Sequence, residues 1–178
     1  MRIIAGTHKG RIIDVPRNFK GRPTTDFARE GLFNLLNNQL NWNDELKVLD
    51  LFAGTGAFSL ECFSRGASQI LAVDIQPLHV KFINENFKKF GAENATAIKQ
   101  DVFKWLPTLN VKFDLIFADP PYDLPGLLKL PQLIMESGLL EPNGILVVEH
   151  GKRTSFSDIH CFKSERKYSN VTFSFFAP

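Results

Sequence analysis

The stretch VLDLFAGTG, residues 48–56, joins an apolar run to a turn that contains two glycines. The apolar run predicts a buried β-strand, and the segment after Gly56 predicts a helix that ends at Gly66. Glycines let a backbone approach a ligand closely, so this turn is a candidate binding loop. Strands and helices alternate from Lys47 onward, which predicts an α/β fold with a doubly wound, mostly parallel sheet.

Four more apolar runs continue the alternation as predicted strands. One predicted helix starts at Pro77 and ends near Gly91, and another covers about 125–137. The tail breaks the pattern, because Cys161–Phe162 and Tyr168–Phe176 have no helix between them and predict an antiparallel hairpin at the sheet edge. The four runs are QILAVD (69–74), NATAIK (94–99), FDLIFA (113–118) and GILVVEH (144–150).

The amino-terminal region has its own pattern. Two β-like runs, 2–5 and 11–15, flank GTHKG and predict a β-hairpin that turns at Gly6 and Gly10. A polar loop follows, and then cap residues 24–26 predict a helix with an apolar face at Phe27, Leu32, Leu35 and Leu36. We therefore divide the chain into a hairpin and loop, residues 1–25, and a main domain, residues 26–178.

Charge is distributed unevenly between these two parts. Residues 1–25 hold six Lys or Arg and one acid, a net charge of +5, so the remainder carries −3 of the chain's total of +2. A basic end on a slightly acidic body favours contact with a polyanion, although a solvated charged edge explains the charge equally well.

Composition excludes several classes of protein. The chain has 178 residues, 44% of them hydrophobic, which suits one folded domain and argues against disorder. We expect neither a membrane span nor a signal peptide. Cys62 and Cys161 fit no metal-ligand spacing, so we expect no metal and two thiols in a reducing cytoplasm.

Acidic residues recur at the ends of the first four predicted strands. In a sheet of this class, ligands bind beyond those ends, at the point where the strand order reverses. A carboxylate at Asp50 would repel the pyrophosphate of a dinucleotide, and Ser59 replaces the third glycine of the dinucleotide fingerprint. A cationic ligand without phosphate, such as S-adenosylmethionine (SAM), fits better. The four acids are Asp50, Asp74, Asp101 and Asp119.

Spacing assigns roles to the two acids after the second and third strands. Asp74 lies 18 residues after Gly56, close to the spacing of an acid that accepts hydrogen bonds from ribose hydroxyls. We expect Asp101 to accept a hydrogen bond from an adenine amino group and the backbone N–H of Val102 to donate one to the ring. An N-cap for the helix VFKWL is an equally good interpretation of Asp101.

The fourth strand runs into DPPY, residues 119–122. Proline fixes its own φ and keeps the preceding residue extended, so Asp119 and the Pro120 carbonyl are held at the sheet edge. Two fixed acceptors suit an exocyclic amine with two N–H donors. Asp119 can also accept the proton released on methylation, and Tyr122 can stack on a base. A rigid turn after a strand is the structural alternative.

These motifs together resemble the RsmD-type enzymes, the guanine-N2 methyltransferases of small-subunit (16S) ribosomal RNA, within the class I SAM-dependent methyltransferases. The resemblance covers nearly the whole chain. The opening hairpin and RPTTDFARE are its specific parts, while the glycine turn and DPPY occur in many methyltransferases. It rests on RIIAGTHKGR, RPTTDFAREGLFNLL, LDLFAGTGAFSLE, ADPPY and ERKYSNVTFSFF.

The resemblance implies a Rossmann-like seven-stranded fold with an amino-terminal hairpin extension, and a set of site residues. The catalytic segment would be Asp119, Pro120, Pro121 and Tyr122. The basic hairpin would bind ribosomal RNA within a small-subunit particle through Arg2, Lys9, Arg11 and Arg17, and we expect a monomer. Cofactor contacts would come from Asp50, Phe52, Ala53, Gly54, Thr55, Gly56, Asp74, Ile75, Asp101, Val102, Arg22 and Thr24.

Two residues depart from the family pattern. Asp74 stands where the family often has glutamate, which is one methylene longer, so the ribose contact is expected to differ, and Gly31 lies inside the first predicted helix. A glycine there costs about 1 kcal/mol relative to alanine.

Other functions remain open from the sequence. DNA amino-methyltransferases use a similar catalytic segment but usually add a recognition domain, and protein-glutamine methyltransferases usually begin that segment with asparagine. A ribosome-assembly factor with a relic cofactor pocket is an alternative without catalysis. A nicotinamide dehydrogenase is disfavoured by Asp50 and by the missing third glycine.

Overall fold

A computed structural model describes residues 1–16, 19, 24–42 and 45–178 of the chain. These residues form a seven-stranded sheet with helices on both faces. The strands are β1 (Lys47–Leu51), β2 (Gln69–Asp74), β3 (Ala95–Lys99), β4 (Phe113–Ala118), β5 (Leu140–Gly151), β6 (Phe162–Tyr168) and β7 (Val171–Phe176). The α-helices are α1 (Asp26–Leu36), α2 (Ala57–Arg65), α3 (Pro77–Phe90), α4 (Val102–Trp105) and α5 (Leu130–Glu136).

The strand order is β3-β2-β1-β4-β5-β7-β6. The first five strands are parallel, and β7 runs antiparallel to β5 and β6. The order reverses between β1 and β4, where Leu51 aligns with Ala118. The predicted doubly wound, mostly parallel fold is confirmed, and the segments that leave β1 and β4 do so side by side.

Two apolar layers enclose the sheet. Helices α1, α2 and α3 bury Phe33, Phe58 and Phe87 on one face. On the other face, Leu130 and Ile134 of α5 pack with residues from α4 and β4. A sheet covered on both faces explains why its central strands are continuous apolar runs. No helix among the described residues is long and apolar enough to cross a membrane.

The predicted helix boundaries have the expected caps. The Thr25 side chain accepts from Ala28 N at 3.2 Å and begins α1. Gly66 ends α2 with a φ of 108°, and Gly91 ends α3 with a φ of 74°. Both values lie in the left-handed region, which glycine adopts without strain.

The carboxyl-terminal hairpin differs from its predicted bounds. Its first strand is β6, which runs to Tyr168, and its second strand starts at Val171. The predicted antiparallel hairpin at the sheet edge is confirmed, but its first strand is longer than predicted, because the charged segment KSERK contains no apolar run that would indicate a strand. An edge strand contacts one neighbour only, so it carries such charges facing solvent.

Two features of α1 also needed the structure to explain them. Phe27 was assigned to the apolar face but is 69% exposed and meets the Tyr168 ring edge-on. A Cβ at Gly31 would lie 2.2 Å from Tyr168 Cε1. The glycine inside this helix therefore makes room for the Tyr168 ring, since alanine would overlap it.

The amino-terminal hairpin forms and packs against the main domain. Arg2 and Ile12 pair in an antiparallel bridge, and the intervening segment turns between them. Ile3 and Ile13 are each 1% exposed and belong to the same core layer as α1 and α2. The buried carboxylate of Glu61 accepts backbone hydrogen bonds from residues 4 and 5. The division of the chain at residue 25 stays a prediction.

Candidate active site

The glycine turn and the DPPY segment meet at the carboxyl edge of the sheet. The turn begins at Phe52, directly after β1, and Asp119 follows directly after β4. The backbone N–H of Asp119 donates to Leu51 O at 3.2 Å, so the two segments are joined where they leave the sheet. The candidate site therefore lies at the switch point between β1 and β4.

The turn has a strained backbone. Phe52, Gly54 and Gly56 have φ values of 59°, 53° and 70°. A left-handed conformation is unusual for phenylalanine, and such outliers persist where the surroundings hold them, often at functional sites. The turn is held by hydrogen bonds from Ala53 N to Val73 O at 3.0 Å and from Gly56 N to Ala53 O at 2.7 Å.

Its two glycines face different surroundings. A Cβ at Gly54 would meet one atom within 4 Å, Phe52 O at 3.8 Å, so this position faces open space. A Cβ at Gly56 would lie 2.9 Å from Ile83 Cγ1 of α3. Gly54 thus leaves room for a ligand, whereas Gly56 makes room for the core.

Asp50 lies beneath the turn and is 1% exposed. Its carboxylate accepts a hydrogen bond from Ser59 Oγ at 2.6 Å. Burial raises the pKa of Asp50 to about 7, and the charge of Asp74 adds to the increase, while the Ser59 hydrogen bonds lower it. Asp50 therefore keeps its proton to a higher pH than an exposed aspartate does, and a nearby cation would favour its ionised form.

Asp74, the last residue of β2, supports the turn. Its two carboxylate oxygens accept from Gly54 N at 2.9 Å and from Gln76 N at 2.8 Å. His79 Nδ1 lies 3.2 Å from Asp74 Oδ2. Asp74 is only 6% exposed, whereas the adjacent Ile75 is 54% exposed. The ribose contact of these two residues remains a prediction.

Asp101 is the N-cap of α4, which confirms the N-cap interpretation of this residue. Its carboxylate accepts from Phe103 N at 3.1 Å and lies 3.8 Å from Lys104 Nζ. Val102 is 3% exposed in the first turn of that helix. The adenine contacts of Asp101 and Val102 stay a prediction.

The DPPY segment presents its aspartate in a low-dielectric environment. Asp119 is half-buried, Pro120 is buried, and Pro121 is exposed. Burial raises the pKa of Asp119 well above its usual range, and the negative charges of Glu149 and Asp50 raise it further. A carboxyl group with a raised pKa holds a proton more strongly than an exposed aspartate, which suits a proton acceptor.

Glu149 is the site residue that sequence reasoning missed. It lies near the end of β5 and is 2% exposed. Its carboxylate accepts from Thr24 Oγ1 at 2.7 Å and from Tyr122 Oη at 3.1 Å. Burial raises the pKa of Glu149, and these two hydroxyl donors oppose the increase. Glu149 lies near the end of the predicted strand GILVVEH, as the four predicted acids lie at the ends of theirs. This position was the signal in the sequence that could have identified it.

Known proteins are similar to this chain over most of its length. The family model described as "Conserved hypothetical protein 95" matches residues 1–177. "Ribosomal RNA small subunit methyltransferase D" of Escherichia coli K12 is 31% identical over 149 residues, which cover 84% of this chain and 74% of that one. The chain belongs to the RsmD-type methyltransferase family.

Two further comparisons cover almost the full length of this RsmD-type chain. The protein of the same name from Buchnera aphidicola subsp. Baizongia pistaciae is 28% identical over 180 residues, covering 99% of this chain and 91% of the relative. A hypothetical protein of Thermus thermophilus has a structure with a TM-score of 0.85 at 27% identity, covering 100% and 99% of the two chains. The predicted family and class I methyltransferase fold are confirmed.

The basic residues of this RsmD-type chain occupy different environments. Lys9 is exposed, and Arg2 is exposed beside Asp26, with 3.5 Å between Arg2 Nε and Asp26 Oδ2. The Arg11 guanidinium lies over the Phe90 ring, with 4.1 Å from its carbon to the ring centroid. The predicted contacts of Arg17 and Arg22 lie outside the described residues.

Proposed function

We propose that this RsmD-type chain transfers a methyl group from SAM to the N2 amino group of a guanine in small-subunit ribosomal RNA. The observation that carries the proposal is the junction of Asp119 with Leu51, which brings the DPPY segment against the glycine turn. The relatives named as small-subunit ribosomal RNA methyltransferases support the same kind of substrate.

The site has the chemistry that a cationic cofactor needs. The Asp50 carboxyl lies beneath the glycine turn, and burial raises its pKa to about 7. A ligand with a sulfonium and an ammonium group favours the ionised form of this buried acid, whereas a pyrophosphate opposes it. SAM supplies the electrophilic methyl group when it is bound.

We assign the cofactor's parts to successive strand ends. Residues 52–56 hold the methionine part, because Gly54 faces open space. Asp74 and Ile75 hold the ribose, and Asp101 and Val102 the adenine. Thr24 lies at the mouth through its hydrogen bond to Glu149, and we place Arg22 near it by the family resemblance.

The chain's own residues position and deprotonate the target amine. Asp119 and the Pro120 carbonyl accept its two N–H groups, which turns the nitrogen lone pair away from the ring and toward the methyl group. Asp119 then takes the proton that the methylated nitrogen releases, a role suited to its raised pKa. The half-exposed Tyr122 ring stacks on the extruded base.

We assign much of the specificity to the shape of the RNA around the target base. Lys9, Arg2 and Arg11 of the hairpin supply positive charge for the flanking phosphates. We expect the protein to act in the cytoplasm as a monomer, on a structured small-subunit particle.

The test uses purified protein, labelled SAM and small-subunit particles from cells that lack the gene. The RNA is digested, and the labelled nucleoside is identified by mass spectrometry. Label in N2-methylguanosine is the expected result. Label on adenine, cytosine or a ribose hydroxyl would overturn the guanine assignment, and label on protein alone would overturn the RNA substrate.

A further inference from the structure

Glu149 connects two segments that are far apart in the chain. Its Oε2 accepts from Thr24 Oγ1 at 2.7 Å, and its Oε1 accepts from Tyr122 Oη at 3.1 Å. Thr24 belongs to the segment just before α1, and Tyr122 ends the DPPY segment. One carboxylate, with a different oxygen for each donor, thus bridges the amino-terminal segment and the catalytic segment.

The carboxylate is fixed by the sheet. Glu149 lies in β5 opposite Phe173 of β7, and β5 is paired on both sides by β4 and β7. The residue is 2% exposed, so its side chain has little freedom to move. A buried acceptor held by a central strand is a rigid point to which surface segments can be attached.

The Tyr122 ring is held on two sides by this arrangement. Its hydroxyl bonds Glu149, and its ring lies against Gly151, where an added Cβ would come within 2.8 Å of Tyr122 Cδ2. The ring is nevertheless 45% exposed, which leaves an accessible surface at the site edge. The hydroxyl contact therefore fixes the orientation in which that surface is presented.

We propose that Glu149 is a positioning residue for the methyl transfer, which sets the Tyr122 ring for stacking on the target base and ties that ring to the Thr24 segment. The proposal rests on the proposed function for its base-stacking step. Glu149 acts through Tyr122 and Thr24, and Asp119 remains the group that contacts the amine. Loss of the Glu149 carboxylate would release both segments at once and misplace the base relative to Asp119.

The first test measures the two segments without catalysis. Hydrogen–deuterium exchange is compared between wild type and Glu149→Ala at the amides of residues 24–26 and 122–124. We expect faster exchange in both segments for Glu149→Ala. Ser174→Ala is the matched control, because it removes the hydroxyl bonded to His150 Nε2 at 2.8 Å on the adjacent strand. Unchanged exchange in Glu149→Ala, or equal changes in Ser174→Ala, would overturn the proposal.

The second test uses turnover on small-subunit particles from cells that lack the gene. We expect Glu149→Ala to lower kcat by about 10² while SAM affinity, measured by calorimetry, stays within about twofold. Glu149→Gln should recover most of the loss, because its carbonyl oxygen accepts one hydroxyl and its amide can bond the other oxygen.

A double-mutant cycle separates this role from a general structural one. Tyr122→Phe should lower kcat in the wild-type background. In the Glu149→Ala background it should lower kcat by less than about twofold more, because both changes break the same hydrogen bond between Tyr122 and Glu149. Additive effects would overturn the proposal. Methylation of a different base by an otherwise active wild type would refute the proposed guanine substrate and leave the role of Glu149 supported by the exchange data and the cycle.

Discussion

Ser59 Oγ donates a 2.6 Å hydrogen bond to the buried carboxylate of Asp50. Ser59 occupies the position where the dinucleotide fingerprint has its third glycine, and it is fully buried in α2. The serine thus supplies the donor that a carboxyl group beneath the turn needs, because an unpaired buried carboxylate is costly. Ser59 is the departure from the dinucleotide fingerprint, and Asp50 is the acid that argues against a dinucleotide. The two residues are hydrogen-bonded to each other.

The stability of the protein should depend on the ionisation of Asp50. Its pKa is raised to about 7 in the folded chain, so the folded state keeps a proton that the unfolded chain loses near the ordinary value of 3.8. The stabilising effect of this proton is fully present below pH 3.8 and is lost as pH rises toward about 7. Between these two pH values, the free energy of unfolding should fall by about 1.4 kcal/mol per pH unit.

Asp50→Asn removes this dependence while keeping an acceptor for Ser59. We expect the free energy of unfolding of the variant, relative to wild type, to rise between about pH 4 and 7 and to level off above that range. Urea unfolding across this range and one unit beyond it measures the difference. Ser59→Ala should extend the window upward, because the Ser59 hydrogen bonds lower the pKa of Asp50. A constant difference between Asp50→Asn and wild type would contradict the assignment.

The positions of three acids were predictable because they lie at strand ends. Asp50, Asp74 and Asp119 were placed at one edge of the sheet from the strand pattern, since parallel strands end at one edge, while their roles stay a prediction. The tie between Thr24 and Glu149 was not predictable, because it joins residues 125 positions apart through side chains. The contact between Gly31 and Tyr168 was hidden for the same reason. Local sequence patterns predicted the strands and helices. Which side chains meet between them is decided by tertiary contacts, which these patterns do not contain.

The open space beside Gly54 gives a direct test of cofactor binding. Gly54→Asn keeps a residue that tolerates a left-handed φ and places a side chain in that space. We expect SAM affinity to fall at least about tenfold, with a small change in thermal stability. Calorimetry and thermal unfolding measure the two effects.

Gly91→Asn is the matched control for this substitution. Gly91 has a φ of 74° at the end of α3, and a Cβ there would meet nothing within 4 Å. Gly91→Asn should leave SAM affinity unchanged. Gly56→Val is a poor choice, because its Cβ would clash with Ile83 and loss of binding would report misfolding. Wild-type SAM affinity in Gly54→Asn would remove the turn from the cofactor site.

The exposed cation of the hairpin turn tests the RNA interface. Lys9→Glu should weaken binding to small-subunit particles and make the decrease of affinity with salt shallower, by about one unit of slope for one lost phosphate contact. Filter binding at several salt concentrations measures both quantities. Lys9 is a cleaner choice than Arg11, whose guanidinium also packs on Phe90.

Lys112→Glu makes the same change of charge at a distant place. Lys112 is exposed and directly precedes β4, at the edge of the sheet opposite the site. Lys112→Glu should leave the affinity for small-subunit particles, and its dependence on salt, near those of wild type. Equal losses for the two variants would show that net charge alone governs binding and that the hairpin is a solvated edge.

The role of Asp119 gives the most direct test of the chemistry. Asp119→Ala removes both the acceptor for the amine and the proton acceptor, so we expect kcat to fall by about 10²–10⁴. Asp119→Asn keeps an oxygen acceptor but cannot take the proton, and it should lose most of the same activity. SAM affinity should change by less than about twofold in both, because Asp119 is assigned to the substrate amine.

Asp123→Ala is the control for these variants, since Asp123 is exposed and lies just after the DPPY segment. It should retain turnover close to wild type on small-subunit particles with labelled SAM. Near-normal turnover in Asp119→Ala would refute the assigned role. A fall in Asp119→Ala with recovery in Asp119→Asn would mean that Asp119 holds the amine and that another group takes its proton. Glu149, whose charge raises the pKa of Asp119, would then be the first residue to test.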